Sequence, residues 1–134
     1  MASFKATFNG AGSGDCEVVS CQFSIHQETD AAGRVSSKAK PGSVIVEIIA
    51  TDSTALAAWA ADSYKQESGI TIKFDKANEA GVLKTVTIDE AYCVNYVENF
   101  SAKGTSTDAS MTVRLEITAN KINLAGVALD NKWV

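Results

Sequence analysis

The chain has 134 residues, 46% hydrophobic and 21% charged, enough apolar material for one continuous core and too mixed a composition for a disordered segment. A net charge of −4 and a pI near 4.9 give no long-range pull toward a phosphate backbone, so nucleic acid is not an expected partner. The mean hydropathy of +0.00, with no apolar run near the ~18 residues of a membrane span, excludes insertion by a helix, and residues 1–134 read as a single domain.

Phe4, Ala6 and Phe8 alternate with polar neighbours, the period-two mark of a strand with one buried face. Gly10, Gly12 and Gly14 supply a turn into a second strand, on which Val19, Cys21, Phe23 and Ile25 are expected to share a face, the two strands forming a hairpin. From Glu28 to Gly42 the alternation stops. Apart from Val35 this span holds no large apolar side chain and reads as a polar loop, well beyond the usual length of about four to six residues and of the kind that carries function. Its basic residues, Arg34, Lys38 and Lys40, have no aromatic between them for base stacking and read as solvated loop charges.

Ser43 to Ala50 is largely β-branched on both faces except at Glu47, so both sides of that strand are expected to be covered, one of them a candidate interface. Asp52 or Ser53 is the expected N-cap of an alanine-rich helix over residues 55–61. Leu56, Trp59 and Ala60 fall on one narrow stripe of that helix, suited to packing on a barrel, with Trp59 as a core plug. Strand patterns resume at Ile70, Ile72 and Phe74, then at Val86 and Ile88, with a loop containing a helical turn expected from Asp75 to Gly81. Tyr92, Val94 and Tyr96 should face one way and Cys93, Asn95 and Val97 the other, while Met111, Val113, Leu115, Ile117 and Ala119 make the cleanest alternation. The fold class is therefore mainly β: a closed barrel, or a tight two-sheet sandwich, of about seven or eight strands with one flanking helix after the third.

Reactive groups are sparse. His26 is the one histidine, so a Ser-His or Cys-His mechanism would need it, with Asp89 its only plausible carboxylate; its parity on the second strand suits a surface residue. Asp89 and Glu90 are adjacent and point to opposite faces of a strand, a poor acid/base pair. Cys16, Cys21 and Cys93 are odd in number and dispersed, which fits buried free thiols in a reducing compartment and no metal site. The glycines from Gly10 to Gly14 lack the lysine and the following helix of a phosphate loop. No catalytic residue, cofactor or metal is expected, and a barrel of this size leaves an apolar-ligand carrier of lipocalin type as an alternative.

The order and spacing of several segments resemble the Hcp-like TssD tube proteins of type VI secretion systems. The matching pieces are Ser3 to Thr7, Cys21 to Ser24, Asp30 to Ser37, Gly42 to Glu47, Ser68 to Phe74, Leu83 to Val94, Glu98 to Phe100, Ile117 to Ile122 and Asn131 to Trp133. Val35 departs from the pattern, which would have proline after the Gly33-Arg34 pair. The resemblance implies a barrel with one flanking helix, six copies closing into a ring, and rings stacked into a tube inside a contractile sheath. It further implies a spike protein at the tube's end, effectors carried in its lumen, and cytoplasmic assembly followed by export without a cleaved signal; a phage-like tail tube is the alternative within the same fold. Asp30, Gly33, Arg34, Val35, Ser36 and Ser37 match the extended loop that reaches toward the next ring.

Overall fold

The computed structural model describes residues 4–37, 40–51, 53–76, 82–102 and 110–131. In chain order these residues form β1 (Phe4–Asn9), β2 (Asp15–Gln22), β3 (Ile25–His26), β4 (Lys40–Pro41), β5 (Val44–Ile49), α1 (Ala55–Ala61), β6 (Ile70–Lys76), β7 (Val82–Ser101), β8 (Ser110–Leu124) and β9 (Val127–Asp130).

Six strands close a barrel. Neighbours run β5-β2-β1-β6-β7-β8, every pair antiparallel, and β8 returns to β5 through pairs such as Val46 with Leu115. Closure removes the sheet edges that so many amphipathic strands would otherwise expose. The inward positions are those that period two marks: Phe8 pairs with Cys16 on one side and Ile72 on the other, Ile72 pairs with Val86, and all four are buried. Val44, Val46, Ile48, Ile70, Ile88, Leu115 and Ile117 complete the filling with at most 1% exposure, so the barrel interior is a packed core. Beyond the pairing with β5, β8 continues and carries β9 outside the barrel, through pairs such as Ile122 with Leu129.

Among the described residues the barrel pairings slip register three times, once between Phe74 and Asp75 on β6, and the other two slips correct the sequence reading. In β2 the register shifts between Val18 and Ser20, so Val19 is exposed while Cys21 and Phe23 pack toward the core; Ile25 is exposed on a separate short strand. In β7 the shift lies between Cys93 and Asn95, which leaves Val94 exposed and turns Cys93 and Tyr96 both toward the core. An extra residue in one strand bends it and reverses its inside-outside parity, as barrel curvature requires. On β5 only Val44, Val46 and Ile48 are covered; Ile45 is half-buried and Ile49 exposed, so the second face of that strand is not covered within one chain.

α1 starts after Thr54, which makes no side-chain cap, while the Ser53 hydroxyl accepts the Ala55 N–H at 3.2 Å; Asp52 lies outside the described residues. Leu56 and Trp59 are buried and Ala60 half-buried, on a helix that packs against β7. β6 runs through to Lys76, and residues 77–81 of the expected loop lie outside the described residues.

Candidate assembly surface

The span read from sequence as a bare loop is a two-stranded ribbon. Its base is β3 on β4, Ile25 opposite Pro41 and His26 opposite Lys40, and Thr29 bridges Val35 farther out. The Ser36 N–H donates to the Glu28 carbonyl at 2.8 Å, and the Glu28 N–H donates to the Ser37 hydroxyl at 2.8 Å. At the tip the Gly33 N–H reaches the Asp30 carbonyl at 3.0 Å, and the Asp30 carboxylate accepts the N–H groups of Ala32 at 2.9 Å and Arg34 at 3.0 Å. Gly33 sits at φ 82°, a conformation that side-chain-bearing residues adopt only at a cost. Arg34, Val35 and Ser36 are exposed, and Ser37 is half-buried.

A second feature lies along β7. It pairs with β6 as far as Ile88, exchanges two hydrogen bonds of 2.9 Å between Ala91 and Glu67, and beyond that pairs with β8 alone among the described residues. The β7–β8 hairpin carries Phe100 opposite Met111, 70% and 44% exposed, with Val94 and Val97 exposed on the same strand. A groove of about 570 Å³ between the end of α1 and β7 is lined by Ala60, Tyr64, Tyr92, Cys93 and Val94 among others. Sequence reasoning placed Val94 and Val97 on strand faces and did not single out Phe100 or Met111 as surface; the signal was the length of the two strand patterns, which outrun the barrel they build.

The chemistry-bearing residues are dispersed. His26 is exposed on the ribbon, whereas Asp89 belongs to β7 and accepts the Gly69 N–H at 2.8 Å. Glu90, at φ 51°, accepts from Asn120 Nδ2 at 3.1 Å and lies 3.5 Å from Lys121 Nζ. Burial pushes the Cys21 thiol up to about 11, against a smaller pull from the Gln22 backbone, and also raises Cys93. Thiols so held stay protonated at neutral pH and make poor nucleophiles. Among the described residues no three His, Cys, Asp or Glu side chains gather as a metal site would require, and no helix is long and apolar enough to cross a membrane.

The family model described as Hemolysin coregulated protein Hcp (TssD) matches residues 2–134. No curated protein matches the sequence. Among solved structures, Hcp1 from Flavobacterium johnsoniae superposes with a TM-score of 0.82 at 31% identity, covering 95% of this chain and 99% of that one. Hcp1 from Salmonella typhimurium gives 0.68 at 13% identity, covering 90% and 85% of the two chains, and a chain of the anti-feeding prophage baseplate gives 0.50 at 14%, covering 99% and 96%. The last two, under 15% identical, share the fold. A family match along the whole chain, together with a 31% identical relative that superposes over nearly all of both chains, places this chain in the Hcp (TssD) family.

Proposed function

We propose that the chain is the tube subunit of a type VI secretion system, six copies closing into a ring through their barrels and rings stacking through the Ile25–Pro41 ribbon. Family membership supports this, and one structural observation carries it: the barrel is filled by its own side chains while Val94, Val97, Phe100 and Met111 stand outside. A filled interior removes the basis for an apolar-ligand carrier, and apolar side chains on an extended hairpin need a protein surface to cover them. Like contacts repeated with a fixed rotation close into a ring. Sheath and spike proteins are the partners this role calls for, with effectors in the lumen and export without a cleaved signal.

Static light scattering on the purified chain tests the ring. Six copies of 14.1 kDa give a species of about 85 kDa in dilute solution, and negative-stain images show annular particles. A monomer at every concentration overturns the proposal.

A further inference from the structure

We propose that Asp30 is a positioning residue for ring stacking: its carboxylate fixes the tip of the ribbon in the shape that docks on a second copy of the chain, and it makes no contact with that copy itself. This rests on the reading that the ribbon joins one ring to the next.

The tip is a segment without a core. Residues 28–36 are all exposed, so burial cannot order them. Order comes from hydrogen bonds: those of Glu28 with Ser36 and Ser37 close the stem, and four at the tip converge on one residue. The Asp30 N–H donates to the Arg34 carbonyl at 2.8 Å, its carbonyl accepts from Gly33 at 3.0 Å, and its carboxylate accepts from Ala32 at 2.9 Å and from Arg34 at 3.0 Å. A carboxylate that accepts backbone N–H groups makes charge-assisted bonds, stronger than those between neutral groups. Because Oδ1 is engaged with the backbone, the carboxylate is held inside the turn. Arg34 forms no ion pair among the described residues, and Val35 beside it is 61% exposed. The turn thus presents a cation and an apolar side chain together on a preformed prong. The second copy carries a net charge of −4, which complements the cation. A tip that is already ordered loses less entropy on docking, and small gains per contact multiply around a ring.

Three variants of the full chain decide it: Asp30→Ala, Asp30→Asn, and the double variant Arg34→Ala with Val35→Ser. Ring mass is read by light scattering, stacking by the protein concentration at which half the rings sediment as tubes, and tip order by amide exchange at Ala32 and Arg34. The expected result for Asp30→Ala is intact rings, faster exchange at both amides, and a stacking concentration raised by at least about tenfold. Asp30→Asn keeps a carbonyl acceptor in the same place and stacks within about threefold of the unmodified chain. If Asp30→Ala stacks like the unmodified chain, or Asp30→Asn is as defective as Asp30→Ala, the positioning role is overturned. The double variant separates this from the underlying reading: stacking lost there but kept in Asp30→Ala overturns the inference alone. Stacking unaffected by the double variant, or no stacking by the unmodified chain at any concentration, overturns both. Should Asp30→Ala fail to fold, Asp30→Asn and the amide exchange of the unmodified rings still decide: unprotected amides at Ala32 and Arg34 overturn the inference.

Discussion

The indole Nε1 of Trp59 donates to the Lys65 carbonyl at 3.0 Å, tying the buried face of α1 to the segment that leads into β6. Along that segment Tyr64 is 91% exposed at φ 81°, the Lys65 N–H donates to the Asp62 carbonyl at 3.1 Å, Gln66 Nε2 donates to the Tyr92 hydroxyl at 3.2 Å, and the chain rejoins the sheet at Glu67, opposite Ala91. Trp59 therefore serves as core filling and as an anchor. Trp59→Phe keeps most of the filling and loses the bond, with an expected cost of about 1–2 kcal/mol; Trp59→Ala loses both, at about 3–5 kcal/mol. Urea midpoints at constant slope measure the two, and a Trp59→Phe midpoint equal to that of the unmodified chain would show that the hydrogen bond contributes nothing.

Two small residues at turns predict opposite signs. A Cβ on Gly10 would stand 2.7 Å from Cγ1 of Ile70, which is fully buried and cannot move aside, so Gly10→Ala is expected to cost about 1–3 kcal/mol. Ala125 and Gly126, at φ 53° and 102°, form the two-residue link from β8 to β9, with the Gly126 N–H held by Asn123 Oδ1 at 2.7 Å. Both central residues at positive φ define the hairpin turn that favours Asn-Gly, so Ala125→Asn is expected to stabilise by about 0.5–1 kcal/mol. Thermal midpoints should move down for the first and up for the second.

The barrel was legible because alternation along a strand reports inside and outside directly, as at Ile70, Ile72, Leu115 and Ile117. Its bends were not. Val19 and Val94 occupy the parity of buried residues and are exposed, because the slips beside them are set by how the strands close around the core, a condition no local window contains. The ribbon escaped notice for a different reason: backbone bonds and one carboxylate hold it, so it has no apolar pattern to show. Its one local sign was aspartate at 30 with glycine three positions on, a common signature of a tight turn.

The raised thiol of Cys21 makes stability depend on alkaline pH. Its folded pKa lies near 11 against an ordinary 9.0, chiefly through burial, so the protonated form is favoured by folding. A folded value above the unfolded one means a contribution fully present below pH 9 and lost as pH climbs through about 11. Tyr96, raised to about 12 by burial and by its 2.7 Å bond to Glu98, adds a loss that begins near 10. Unfolding midpoints between pH 8 and 11 should fall for the unmodified chain and fall less steeply for Cys21→Ala, with the difference arising above pH 9. Parallel curves would mean that Cys21 titrates alike in the folded and unfolded chain.

Phe100 offers the sharpest separation of assembly from folding. It faces Met111 across the hairpin, and the last register pair, Ser101 with Ser110, lies one step beyond. Being 70% exposed, it contributes little to the stability of one copy, so Phe100→Asp should change the unfolding free energy by no more than about 0.5 kcal/mol. The proposed ring contact covers the same side chain, and burying a charge in its place would cost about 2 kcal/mol or more at each subunit contact. Six such contacts act on one closed particle, so rings should give way to monomers while circular dichroism and the thermal midpoint of the monomer stay unchanged. Glu17→Gln, an exposed change on β2, serves as the control expected to leave rings intact. Rings that persist with Phe100→Asp would move the lateral contact away from this hairpin, to the half-covered outer face of β5 where Ile45 and Ile49 lie.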